Sequence, residues 1–224
     1  MTESAARLAV FASGGGSNLG AISDHLTALG RAAPARVALV LSDRVDAGAL
    51  ERARARAVPA VWLPRERATE MAGVLEKHGI THIALAGYLR LVPADVVRAF
   101  RGRLLNVHPA LLPAFGGAGM YGRRVHEAVL RAGARVSGAT VHFVDERYDE
   151  GAIIAQWPVP VLGNDTAEAL AARVLAAEHL VYPRCVAAAC SGAISLGDDG
   201  HVQGGPPYEF DRFVPDPPRH PFAG

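Results

Sequence analysis

Two polar side chains at the end of an apolar run are the residues best suited to chemistry. In Leu104-Leu105-Asn106-Val107-His108-Pro109 the apolar positions read as a strand, and strand side chains two apart share a face. Asn106 and His108 therefore stand side by side. Pro109 lacks a backbone donor and helps end the strand there. A His takes up or releases a proton near neutral pH. An Asn amide donates a hydrogen bond to a developing oxyanion without ionising. The pair suits acyl-group transfer better than metal binding, since Asn is a poor ligand. A strand end with two satisfied polar side chains would look the same, so the rest of the chain has to decide.

The elements that position this pair alternate regularly. Residues 7–13, 36–42, 58–63 and 81–86 read as buried strands ahead of the Asn/His strand. Helices are expected near 18–29, 46–57, 67–78 and 93–100, with Gly30 and Gly79 as stops and Pro93 at a first helical position. Strand and helix in alternation predict an α/β fold with a doubly wound parallel sheet. In such sheets ligands sit at the carboxyl ends of the strands, where Asn106 and His108 lie. After Pro113 the pattern changes. Residues 114–122 are Gly-rich and read as a mobile loop, 125–131 as a helix, and 137–144 and 152–161 as strands. A helix over 165–189 is expected to kink or break at Pro183, and 194–202 reads as a small hairpin. Residues 1–203 read as one domain, followed by a Pro/Gly-rich tail over 204–224 expected to be extended or partly disordered.

The chain has 224 residues, half of them hydrophobic, which allows a substantial core. A net charge of +1 gives no electrostatic case for nucleic acid or an anionic membrane. Lys77 is the only lysine, and Arg is spread along the chain. Arg52, Arg54 and Arg56 alternate with Ala and read as a solvated helix face. Cys185 and Cys190 fall in one expected helix and suggest neither a disulfide framework nor a zinc site. No stretch approaches the ~18 apolar residues of a membrane span. The start of the chain lacks a signal-peptide pattern, so a reducing, cytoplasmic setting is expected.

Ser13-Gly14-Gly15-Gly16-Ser17-Asn18-Leu19 joins the first strand to the first helix. Glycines let a backbone come close to a ligand, and the helix start behind them offers free N–H groups. Ser17 and Asn18 can add side-chain donors. The loop suits a phosphate, although a tight strand-helix turn would read alike. It is not a P-loop, because Gly-Lys-Ser/Thr is missing. It approaches a dinucleotide fingerprint, with Asp43 as a possible ribose-binding acid, but Leu19 takes the third glycine position. Ala86-Gly87-Tyr88-Leu89-Arg90-Leu91-Val92 could hold a flat heterocycle by its backbone, or be a core loop. Asp145-Glu146-Arg147-Tyr148-Asp149-Glu150-Gly151 offers four acids, any of which could orient His108 and raise its pKa. His142 either lines the same cleft or packs in its strand.

Together with Gly138-Ala139-Thr140-Val141-His142-Phe143-Val144 and the run from Asn106 to Pro113, these motifs resemble the phosphoribosylglycinamide (glycinamide ribonucleotide) formyltransferase family, in order over about 7–203. The resemblance implies a Rossmann-like formyltransferase fold, mostly parallel with an antiparallel C-terminal part. It implies formyl transfer from 10-formyltetrahydrofolate, without a metal, to the amine of 5-phosphoribosylglycinamide in purine synthesis. Asn106, His108 and Asp149 match the catalytic trio, with Asp149 holding His108 and favouring its charged form. Gly16, Ser17 and Asn18 match the substrate-phosphate loop, and Glu178 a ribonucleotide contact. Arg90, Leu91 and Val92 match the segment whose backbone holds the folate. Glu150 and Gly116 depart from the pattern, standing where a small residue and a proline are usual. The expected partners are these small molecules, with the chain a monomer or homodimer. A formyltetrahydrofolate hydrolase and a non-catalytic dinucleotide-binding regulator are the alternatives.

Overall fold

The structure, a computed structural model, describes residues 5–205, so the tail beyond 205 lies outside the described residues. The first half builds a parallel sheet: β1 (Ala6–Phe11), β2 (Ala35–Ser42), β3 (Ala60–Trp62), β4 (His82–Leu85) and β5 (Leu104–His108). Between them run α1 (Ser17–Ala28), α2 (Gly48–Ala55), α3 (Met71–Lys77) and α4 (Ala94–Ala99). After α5 (Arg123–Arg131), β6 (Val136–Phe143) adds antiparallel to β5, and β7 (Ile153–Pro160) antiparallel to β6. The seven strands run in the order β3-β2-β1-β4-β5-β6-β7. β1 pairs with β2 on one side and β4 on the other, so the winding reverses there. That reversal opens a crevice beyond the carboxyl ends of β1 and β4.

The parallel strands are apolar on both faces because helices cover both. Leu8 and Val10 of β1 face one core with Leu105 and Tyr182. Ala9 and Phe11 alternate to the other, with Leu39, Leu41, Met71 and Leu75. α6 (Ala167–Cys190) opens at Thr166, whose hydroxyl accepts from the Ala169 N–H at 3.2 Å. It runs through Pro183 without a break, so of the kink or break expected there the break does not occur. The reason is tertiary: Val181, Tyr182, Cys185 and Val186 are fully buried on either side of the proline. Tyr182 also donates its hydroxyl to the Leu85 and Leu105 carbonyls at 2.8 and 3.2 Å, tying the helix to β4 and β5. The expected helix over 67–78 is shorter too. Its first part is a 3-10 turn over Arg65–Glu70 with Arg67 off helical angles, its Nε and Nη2 donating to the two Glu70 carboxylate oxygens. The expected hairpin is present as β8 (Ser195–Leu196) paired with β9 (Val202–Gln203). No helix among the described residues is long and apolar enough to cross a membrane.

Candidate active site

The strand register sets the centre of the site. Asn106 lies opposite His142 and His108 opposite Thr140 across the β5–β6 pair. The Asn106 amide donates to His142 Nε2 at 3.1 Å, and His142 Nδ1 donates to the Phe143 carbonyl at 2.8 Å. The Phe143 carbonyl requires a proton on Nδ1, while Nε2 lies between the Asn106 amide and Asp149 Oδ1 at 3.7 Å and can donate to the carboxylate when the ring is protonated. His142 thus belongs to the cleft rather than to strand packing, and it fixes the Asn106 amide.

His108 is buried, and its Nε2 donates to the Phe115 carbonyl at 2.8 Å. Its Nδ1 faces Asp149 Oδ2 at 3.5 Å. Of the four acids between β6 and β7, Asp149 is the one that reaches the imidazole. It sits at φ +58°, a conformation a non-glycine residue adopts only when its surroundings hold it there. What holds it is the 114–122 segment, since the Gly117 N–H donates to Asp149 Oδ2 at 2.9 Å. The segment packs closely there: a Cβ on Gly116 would stand 2.5 Å from Leu112 Cδ2 and 3.3 Å from Asp149 Cβ. The Asp149 carboxyl is pushed up by burial, but His142, His108 and the Gly117 N–H outweigh this and lower its pKa.

Asp149 pulls the His108 pKa up, the direction expected, but it does not set the outcome. Burial lowers the His108 pKa below the usual imidazole value, and the upward pull of Asp149 and the Phe115 carbonyl does not overcome it. Asp149 favours the charged form, yet the ring is held neutral by desolvation.

The glycine loop lies at the carboxyl end of β1. Gly16 adopts φ +74° as it enters α1. The N–H groups of Gly15, Gly16 and Ser17 have no hydrogen-bond partner among the described residues. Ser17 is exposed. Asn18 is not the free donor expected: its amide donates to Glu178 Oε2 at 2.7 Å, and its Oδ1 is buried without a partner. Burial raises the Glu178 carboxyl to about 7, with the Asn18 bond opposing. Leu19 is buried in the core, and Asp43 is taken by the Ser13 hydroxyl at 2.5 Å and Arg90 Nε at 3.2 Å. The third glycine and the free ribose-binding acid of a dinucleotide site are therefore absent or spent.

The 86–92 segment is anchored from behind. The Gly87 carbonyl accepts from the Ser13 N–H at 3.0 Å, and the Leu89 N–H donates to Ser13 Oγ at 3.0 Å. Arg90 turns its side chain to Asp43. The backbone groups of Arg90, Leu91 and Val92 make no hydrogen bond among the described residues, three successive donors and acceptors facing a cleft. Leu89 and Leu91 are exposed at its rim, while the Val92 side chain is buried.

One cavity of about 520 Å³ joins all of this. Gly16, Ser17, Asn18, Arg90, Leu91, Val92, Asn106, His108, Asp149 and Glu178 all line it. Its wall also includes His126, which sequence reading left aside. His126 is buried with Nδ1 unpaired, one helical turn after Arg123 on α5. The shared face of Arg123 and His126 was the only signal in the sequence, and it does not separate a site residue from a packed one.

Comparison with known proteins gives four results. A family profile described as formyl transferase matches residues 6–186. Phosphoribosylglycinamide formyltransferase, chloroplastic, of Arabidopsis thaliana is 46% identical over 87% of this chain, which spans 68% of that protein. The crystal structure of glycinamide ribonucleotide transformylase 1 from Symbiobacterium toebii superposes with a TM-score of 0.81 at 41% identity, covering 90% of this chain and 94% of that one. A formyltetrahydrofolate deformylase from Pseudomonas syringae shares the fold, with a TM-score of 0.81 at 22% identity, covering 91% of this chain and 67% of that one.

Proposed function

The chain belongs to the formyl transferase family, and from that premise we propose that it transfers the formyl group of 10-formyltetrahydrofolate to the amine of 5-phosphoribosylglycinamide, a step of purine synthesis. The observation that carries this reading is the single cavity. It brings free glycine-loop N–H groups, an unpaired backbone segment and the Asn106/His108/Asp149 cluster to one space. The phosphate sits on the N–H groups of Gly16 and its neighbours, with Ser17 beside it and the Asn18–Glu178 pair under the ribose. The folate heterocycle bonds the backbone of Arg90, Leu91 and Val92.

The amine attacks the formyl carbon, a new C–N bond forms, and the formyl oxygen takes up negative charge. Asn106 Nδ2, already aimed by His142, donates to that oxygen, and His108 stabilises the charge once its ring has taken up a proton. The bond to the folate nitrogen then breaks. Nδ1 of neutral His108 carries the open lone pair. A proton leaving the amine reaches it through water, and Asp149 stabilises the resulting imidazolium before the proton passes to the departing nitrogen. Anchoring the phosphate makes attack effectively intramolecular.

The proposal takes residues 1–203 as one formyltransferase domain, working in the cytoplasm as a monomer or homodimer. The test is the rate of tetrahydrofolate release with and without the ribonucleotide, with mass detection of product. Release should be slow in water alone and accelerate by orders of magnitude with 5-phosphoribosylglycinamide, while free glycinamide does not substitute. Equal rates with formate as the only product would replace the transferase by a hydrolase.

A further inference from the structure

In the sequence Arg52 reads with Arg54 and Arg56 as solvated, and all three are exposed, the first two on α2 and Arg56 just past its end. Arg52 departs from that role. Its Nε donates to the Gly15 carbonyl at 2.7 Å, across 37 positions of sequence. The Ala49 N–H, one turn earlier on α2, donates to the Gly14 carbonyl at 3.1 Å. Two successive carbonyls of the glycine loop are thus tied to one helix. Contact is close throughout: a Cβ on Gly16 would lie 2.9 Å from both Cα and Cβ of Ala49, and one on Gly48 3.3 Å from Gly15 Cα.

In a trans peptide the C=O and N–H point in opposite directions. The Gly15 carbonyl and the Gly16 N–H belong to one peptide unit. Holding that carbonyl against α2 turns the Gly16 N–H away from α2, and the other side of the loop is the cavity. Ala49 does the same for the Gly15 N–H through the Gly14 carbonyl. Neither Ala49 nor Arg52 lines the cavity. We propose that Arg52 is a positioning residue for phosphate capture: from outside the site it pins the Gly15–Gly16 peptide with its N–H aimed at the anion. A loop of three glycines has many other peptide orientations to choose from, and the pin removes them before substrate arrives. The inference rests on the glycine loop being the seat of the phosphate.

The test uses the whole chain with Arg52→Met, which keeps the side-chain stem and removes the donor at an exposed position. Three readings are taken: Michaelis constants for both substrates, inhibition by inorganic phosphate competing with the ribonucleotide, and turnover of the phosphate-free glycinamide riboside. Loss of one charge-assisted hydrogen bond is expected to raise the ribonucleotide Michaelis constant about fivefold or more. The phosphate inhibition constant should rise by the same factor. kcat, the folate constant and riboside turnover should stay within about twofold. The ratio between variant and wild type should persist at high salt, since a pinned peptide is not screened. A ratio that collapses with salt would assign Arg52 a long-range charge effect and overturn the pin. Equal constants in variant and wild type, or a matching loss with the riboside, would overturn it as well. If phosphate fails to compete even in the wild type, the seat itself is misplaced and the pin falls with it.

Discussion

His108 is held as a neutral base by opposed influences, burial pressing its pKa down and Asp149 pulling it up. Removing the Asp149 charge leaves burial less opposed, so Asp149→Asn should move the His108 titration midpoint to lower pH. Imidazole proton resonances followed by NMR across pH 4–8 check the direction, and an upward shift would show that Asp149 does not act on the ring through charge. In the wild type the neutral ring is the proton acceptor. The acid limb of kcat/KM should therefore lie below the usual imidazole value of about 6.5, with activity lost as pH falls through it. Asn106 contributes the neutral donor to the oxyanion. Asn106→Ala should lower turnover ~100-fold or more with folate binding little changed, because the lost contact strengthens only as charge develops. Unaltered turnover in the folded variant would remove Asn106 from the chemistry.

At the level of elements, the glycine loop and α2 form one unit. Gly16 combines a left-handed backbone with a Cβ direction blocked by Ala49. Gly16→Val would have to displace the loop from α2 or change its dihedrals, and either turns N–H groups away from the anion. The ribonucleotide Michaelis constant should rise tenfold or more in steady-state assays, while folate affinity, set by the 86–92 segment, stays near its wild-type value. A fall in folate affinity alone would reverse the assignment of the two half-sites. The β6–β7 connection has a comparable constraint at Gly151, where a Cβ would stand 1.8 Å from the Phe143 carbonyl oxygen. The chain thus passes tightly against β6 two residues after Asp149, in the same connection that carries the carboxylate to His108.

Across the whole molecule, Asn18 on α1 and Glu178 on α6 meet 160 positions apart and close one end of the cavity. The Glu178 carboxyl is raised to about 7 from an ordinary 4.5 by burial. Its folded pKa lies above its unfolded one, so its contribution to stability is fully present below about 4.5 and lost as pH rises through about 7. Glu178→Gln removes that loss while keeping an acceptor for the Asn18 amide. Relative to wild type, the variant should gain roughly 3 kcal/mol of stability between acid pH and pH 8, at 1.36 kcal/mol per pKa unit. Urea unfolding at pH 4.5 and pH 8 measures the difference, and a gap independent of pH would mean that Glu178 titrates normally in the folded chain.

The alternation of apolar strands with amphipathic segments determined the doubly wound sheet, because burial on both faces leaves such strands few other arrangements. Period-two spacing likewise determined that Asn106 and His108 share a face. The ends of α6 and the small hairpin were legible within a position or two. Other features depended on partners distant in sequence. Pro183 looked like a break, and packing on both sides of it carried the helix through. Which of four acids would serve His108 depended on where the β6–β7 turn delivers each carboxylate, a register only the paired strands set. Whether Asn18, Asp43 and Arg52 were free depended on partners 160, 30 and 37 positions away. The pull of Asp149 on His108 was legible, but the burial that outweighs it was not, because burial depends on every element packed around the ring and leaves no local pattern in the chain.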